Sequence, residues 1–325
     1  VETEWARLEE LGFPPVLIRF AHHETPAQWD FTLKLIDRLH AQGTRIMVGI
    51  LQDRRAVLEP TLWRDFLEKI IPQIADKVDV IEITHACNRV KWGVWGAHEY
   101  AHLLLPALSL RKRYPQIKLT GPAVIDFEYV SVIATLSALP HGECLDALSH
   151  LLYVDRRGAP ENKQGQFSTL EKAALLKAVA RATKKSTDRI IVSEVNWPVK
   201  HTGIYSPIGC PYITPKWSQT EPGENDEDYA NYLVRYYLIC LCSGHIDQVF
   251  WWRLSAHGYG LLDDLNNFAP RPAFFALKQL LAAVGNARFV KRRASSDADD
   301  YLLEFVKPEG TPLTVAWTTH KDARP

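Results

Sequence analysis

Short, almost wholly apolar runs recur through this chain, each followed by a stretch of helical periodicity. The runs are Val16-Leu-Ile-Arg-Phe-Ala21, Arg45-Ile-Met-Val-Gly-Ile-Leu51, Val78-Asp-Val-Ile-Glu-Ile-Thr84, 117–125, 146–153, 189–195 and Gln248-Val-Phe-Trp-Trp-Arg253. A run that is apolar on both faces suits a strand buried on both faces, inside a parallel sheet covered by helices. The stretches at 27–42, 60–75, 97–113, 129–138, 168–183, 226–242 and 271–284 supply that cover. A leading amphipathic helix over 2–11, with Trp5, Leu8 and Leu11 on one face, has no strand before it. No Gly-rich fingerprint follows any strand, which removes the signature of a doubly wound dinucleotide fold. The expectation is an α/β chain with a (β/α)8 TIM barrel over 1–285 whose first strand lies before Val1. After 285 the pattern changes to period two, in Arg288-Phe-Val, Tyr301-Leu-Leu-Glu-Phe-Val306 and Pro312-Leu-Thr-Val-Ala-Trp317, with turn chemistry at Pro308-Glu-Gly310. Residues 286–325 therefore read as a small antiparallel β appendage.

Composition narrows the partners. Lys+Arg and Asp+Glu both number 38, so no net field draws the chain to nucleic acid or an anionic membrane. Five cysteines, an odd count without framework spacing, point to a reducing compartment, and a cytoplasmic protein is expected. No apolar run reaches the ~18 residues of a membrane span, and no signal-peptide pattern opens the chain. The start at Val1 rather than Met suggests that native residues precede it. No cofactor or metal is expected: His22-His23 lacks a third ligand, and no Ser or Cys sits in a nucleophile motif.

The C-terminal edge of a barrel sheet is where chemistry is placed. The strand ends carry Arg19, His22 and His23, then Gln52 and Asp53, then His85, Asn88 and Trp92. Asp126 and Glu128 follow, then His150 and Tyr153, then Glu194, Asn196 and Trp197, and finally Trp251, Trp252 and Arg253. Aromatic platforms, hydrogen-bonding groups and a carboxylate at the end of the β-branched run Ile190 to Val192 suit an oligosaccharide or polysaccharide, whose rings offer apolar faces and hydroxyls. Arg19, Arg54, Arg89, Lys91 and Arg253 near the mouth suit an acidic glycan, unless they pair with local carboxylates. Trp95 reads as a further stacking platform. The connection 196–225, with Tyr205, Tyr212 and Trp217, has the length of a lid or binding loop. Asp263-Asp264 reads as a solvated loop pair.

Over 15–285 these strand ends resemble the clan A glycoside hydrolases, retaining (β/α)8-barrel enzymes. Ile191-Val-Ser-Glu-Val-Asn-Trp197 looks like the clan's seventh strand, and the resemblance implies Glu194 as nucleophile. It implies Arg19 as the arginine that keeps that carboxylate ionised, His150 and Tyr153 as the polar sixth-strand edge, and Trp251 or Trp252 as the floor of the sugar site. His22, Asn88, Trp92, Asn196 and Trp197 join the candidate substrate-binding set. The fourth strand departs from the pattern. Thr84-His85-Ala86-Cys87-Asn88 has His85 where the clan carries Asn and Ala86 where it carries the acid/base Glu. Retention uses two carboxyls about 5–5.5 Å apart, and this pair of positions holds one. Glu82 lies four residues back, roughly 13 Å at ~3.3 Å per residue, and reads as a core carboxylate. His85, with an ordinary pKa of ~6.5, is a substitute acid beside the vacant position. Asp126 reads as a helix N-cap and Glu128 as the better spare acid. Three readings stand open: an enzyme with a non-standard proton donor, a glycan-binding barrel that has lost catalysis, and an engineered acid/base variant of an ordinary retaining glycosidase.

Overall fold

The computed structural model describes residues 1–204 and 223–320. The lid residues Tyr205, Tyr212 and Trp217 lie outside this set. Seven strands pair in parallel and in sequence order: β1 (Val16–Ala21), β2 (Ile46–Leu51), β3 (Val80–Ile83), β4 (Leu119–Ile125), β5 (Ala147–Leu151), β6 (Ile190–Val192) and β7 (Gln248–Val249). The expected runs at 189–195 and 248–253 are thus shorter as strands, because their last residues leave the ladder to form the mouth. Helices α1 (Glu2–Glu10), α2 (Pro26–Ala41), α3 (Arg54–Leu58), α4 (Pro60–Ile74), α5 (Ala97–Arg113), α6 (Tyr129–Ser137), α7 (Thr169–Thr183), α8 (Asp226–Leu241) and α9 (Pro272–Val284) accompany the strands. Side-chain caps set several starts. Thr25 and Ser168 form capping boxes with Gln28 and Glu171, while Asp53 and Asn225 cap α3 and α8. The short α3 was not apparent from the apolar pattern; it follows from that Asp53 cap.

The seven strands curl into a half-barrel with helices between them. Leu17, Met47, Val80, Ala147, Ile191 and Phe250, one from each of six strands or strand ends, pack together inside the curl. Side chains alternate across a strand, so the next inward position on five of these strands holds Arg19, Gly49, Glu82, Ser149 or Ser193. An apolar layer therefore lies beneath a polar one. The outer faces meet the helices in a large core that includes Phe20, Val48, Ile81, Val124, Leu148 and Val192. Val16 and Leu17 of β1 and Val249 of β7 line one cavity of about 550 Å³, together with Leu8, Leu11, Leu277 and Leu281. Among the described residues no strand pairs with the outer edge of either β1 or β7.

Two elements follow β7. A two-stranded ladder of β8 (Leu262–Asp263) and β9 (Ala269–Pro270) occupies the place read as a solvated loop. It forms because Asp263 is bonded to both His257 and Arg271. The appendage is an antiparallel sheet of β10 (Arg288–Arg292), β11 (Asp300–Val306) and β12 (Pro312–Thr318). Leu303 and Phe305 bury against Leu238 of α8, with Leu280 and Val284 of α9 beside them. No helix of the described residues is long and apolar enough to cross a membrane.

Candidate active site

Glu194 stands two residues past β6, only 3% exposed. From β1, Arg19 Nη2 donates to its Oε2 at 2.5 Å, and the Tyr153 hydroxyl, two residues past β5, donates to its Oε1. The His85 Nε2 lies 3.8 Å from Oε2. Burial alone drives this carboxyl upward; the Arg19 charge and the hydrogen bonds from Tyr153 and Arg19 outweigh it and hold Glu194 below the ordinary 4.5. The Arg19 guanidinium is fixed in turn against the Trp252 ring, 3.5 Å from its centroid. Burial and the Glu194 charge keep Tyr153 well above its usual 10, so its hydroxyl stays a donor. Arg157, which the sequence did not single out, lies 3.5 Å over the Tyr153 ring and so supports the phenol from the other side.

The β3 end is organised around Gln52. Its side-chain amide donates to the carbonyls of His85 and Trp92 and accepts from the His85 N–H. The His85 ring packs edge-on to Trp92 at 4.6 Å. Burial and then the Arg19 charge press His85 down to about 3, against the opposing pull of Glu194, so the imidazole is neutral near neutral pH. Ala86 is completely buried at φ 42° and presents only a methyl.

A second polar cluster bridges the ends of β3 and β4. Asn88 donates to the Ile125 carbonyl and to Glu128, and accepts from the Ile125 N–H. Arg89 pairs with Glu128 at 2.5 Å and with Asp126 at 2.7 Å. The expected capping role of Asp126 does not hold: Glu128 occupies the N-cap position of α6, and Asp126 turns at φ 59° toward Arg89 and Arg157. His150 is buried with Nε2 on the Asp126 carbonyl at 2.6 Å, and burial lowers it to about 4.

The aromatic expectations divide. Trp197 has no exposed surface, and its ring lies among Trp251, Tyr232 and Tyr236 with its N–H on the Gly158 carbonyl. Trp251 is stacked between Trp197 and Tyr237. Neither ring offers a face to a ligand, because both strand-end indoles turn outward into the helix layer. Trp252 and Trp92 are partly exposed, and Trp95 is 67% exposed with Arg54 3.8 Å behind its ring. Asn196 donates to the Trp252 carbonyl at 2.5 Å, fixing that residue rather than facing open space. His22 is tied to Asp53 and wedged against Trp63 and Phe66. The mouth arginines mostly have local partners: Arg54 pairs with Glu99, Arg89 with Glu128 and Asp126, and Arg253 with the Ser255 carbonyl. That removes most of the basis for an acidic glycan. The described group with metal-ligand spacing, Asp297, Asp299 and His320, lies on the appendage, where His320 Nε2 is 2.8 Å from Asp297 and 3.5 Å from Asp299.

No family model matches the chain, and no curated protein matches it. Solved structures do. A GH30 endoxylanase from Clostridium papyrosolvens C71 shares 10% identity over 97% of this chain and 77% of that one, with a TM-score of 0.61. A β-glucosidase from Thermotoga maritima shares 12% identity over 86% and 85% of the two chains, with a TM-score of 0.56. Cel5A of the same organism, solved with cellobiose, shares 12% over 85% and 89%, with a TM-score of 0.55. These are clan A (β/α)8 glycosidases, and the chain has their fold.

Proposed function

We propose that this chain is a carbohydrate-active protein of the glycoside hydrolase type, with Glu194 as nucleophile in a retaining-type reaction whose proton donor at position 86 is missing or non-standard. One observation carries the reading: a nearly buried carboxylate at a strand end, kept ionised by a guanidinium and oriented by a phenol. A carboxylate held this way is suited to attack an anomeric carbon, or to stabilise the positive charge that grows there. The ligand is an oligosaccharide or polysaccharide, with Trp252, Trp92 and Trp95 as the available platforms.

The donor side is what sets this site apart. Ala86 has no proton to give, and His85 at about 3 is already deprotonated under ordinary conditions. Glu128 is the remaining carboxyl, and both its oxygens are already bonded, to Arg89 and Asn88. The site is therefore better equipped for substrates whose leaving group departs without protonation. A second reading, a glycan-binding barrel without turnover, is favoured by the same buried methyl at Ala86. Dinitrophenyl glycosides of several common sugars separate the two. A stoichiometric burst of phenol, followed by turnover accelerated by azide, supports the nucleophile reading. Saturable glycan binding with neither burst nor turnover supports the binding protein.

A further inference from the structure

We infer that Glu82 is a positioning residue for Glu194: a neutral carboxylic acid beneath it that shares Arg19 and leaves the guanidinium to the upper carboxylate. For its catalytic meaning this rests on the proposal above; its test does not.

The strand register sets the arrangement. Arg19 of β1 is paired with Gly49 of β2, and Gly49 with Glu82 of β3. Each lies two residues beyond a member of the inward apolar layer, Leu17, Met47 or Val80, so the three occupy adjacent inward positions one layer higher. The glycine between them contributes no side chain. A Cβ built on Gly49 would lie 3.6 Å from Arg19 Cγ and 3.7 Å from Glu82 Oε2, which places the arginine stem and the carboxyl on either side of that bare position.

Glu82 has no exposed surface. Neither of its oxygens has a hydrogen-bond partner of good geometry, and the buried Ser149 and Ser193 hydroxyls and Arg19 Nε are likewise unpaired. Arg19 directs Nη2 to Glu194 instead. Two carboxyls thus lie near one cation. Glu194 has that cation and the Tyr153 hydroxyl, whereas Glu82 faces the hydroxyls of Ser149 on β5 and Ser193 after β6. The other titratable groups acting with Glu82 are Glu194, Cys87 past β3 and Tyr100 of α5, none of them cationic. Ionising both carboxyls would leave a buried negative charge without a counter-ion, a far costlier state than keeping one proton. The proton belongs on the group that lacks the guanidinium's hydrogen bond, and burial raises Glu82 accordingly. A charged Glu82 would compete for Arg19 and loosen its hold on Glu194.

Carbon-13 NMR of protein labelled at the glutamate side-chain carboxyls tests this without any sugar. The two resonances are assigned from Glu82→Gln and Glu194→Gln. In the unaltered protein at pH 7, Glu82 is expected protonated and Glu194 ionised. In Glu194→Gln the freed guanidinium turns its charge on Glu82, whose midpoint falls by about one unit or more, a tenfold change in proton affinity. In Glu82→Gln the Glu194 midpoint stays where it was, since one neutral group replaces another. Should Glu194→Gln fail to fold, Arg19→Gln serves: both midpoints rise. An ionised Glu82 at pH 7, or a Glu82 midpoint indifferent to both Glu194 and Arg19, overturns the inference. If the coupling appears but no glycoside ever reacts, the glycosidase reading fails alone.

Discussion

Around Glu194, Arg19, Tyr153 and His85 stand in different relations to the carboxylate, and the Tyr153 contact can be removed on its own. Tyr153→Phe deletes one charge-directed hydrogen bond while keeping the ring under Arg157. Turnover of an activated glycoside should fall about 10²-fold, the usual loss for one preorganised donor, with little change in melting temperature. Ala86→Glu tests the vacant donor position. It should raise turnover of unactivated glycosides about tenfold or more and hardly affect dinitrophenyl glycosides, whose leaving groups need no acid. Steady-state rates on the two substrate classes decide this. The methyl at 86 and the place of Glu194 at a strand end were both legible in the sequence. The protonation state of His85 was not: it depends on complete burial beside Arg19, and those neighbours come from strands far apart in the chain.

At the scale of elements, the strand–helix alternation was readable because apolar runs and helical periodicity are local. What happens just past each strand is not local. Glu194, Val195, Asn196 and Trp197 are consecutive, yet they point to different neighbours: the site, the core, the Trp252 carbonyl and the helix layer. Sequence order marks such a segment as a mouth, but only the packing of Tyr232 and Tyr236 on α8 shows that Trp197 belongs to the core. Trp197→Ala should therefore cost about 3–5 kcal/mol of stability, as for a large core aromatic, measured by urea denaturation. Loss of glycan affinity without loss of stability would assign Trp197 to the ligand after all. Arg157 escaped notice for a related reason: it acts by bridging Asp126 and the Tyr153 ring, and nothing adjacent in sequence marks it.

For the whole molecule, the appendage and the barrel share packing. Leu303 and Phe305 of β11 have Leu238 of α8 as their buried partner, and Trp317 donates to Glu161 beyond β5. Phe305→Ala is expected to lower the single melting transition of the whole chain by calorimetry; a separate, earlier transition with an unchanged main peak would make the appendage an independent unit. Acid sensitivity has its own sign. His85 at about 3 and His150 at about 4 lie below the ordinary 6.5, so between those values the unfolded chain binds protons that the folded chain does not. Stability is then lost as pH falls through 6.5, at up to about 1.4 kcal/mol per pH unit for each histidine. His150→Gln should reduce that slope by about one proton in denaturant titrations across pH 4–6.5.

The most direct test is whether Glu194 forms a bond to sugar. Protein incubated with 2-deoxy-2-fluoro glycosides bearing dinitrophenyl leaving groups, across a panel of common sugars, can be digested and mapped by mass spectrometry. The predicted result is a single fluoroglycosyl addition on the peptide containing Glu194, absent in Glu194→Gln. Modification at another carboxylate, or none on an intact fold that binds those same sugars, contradicts it.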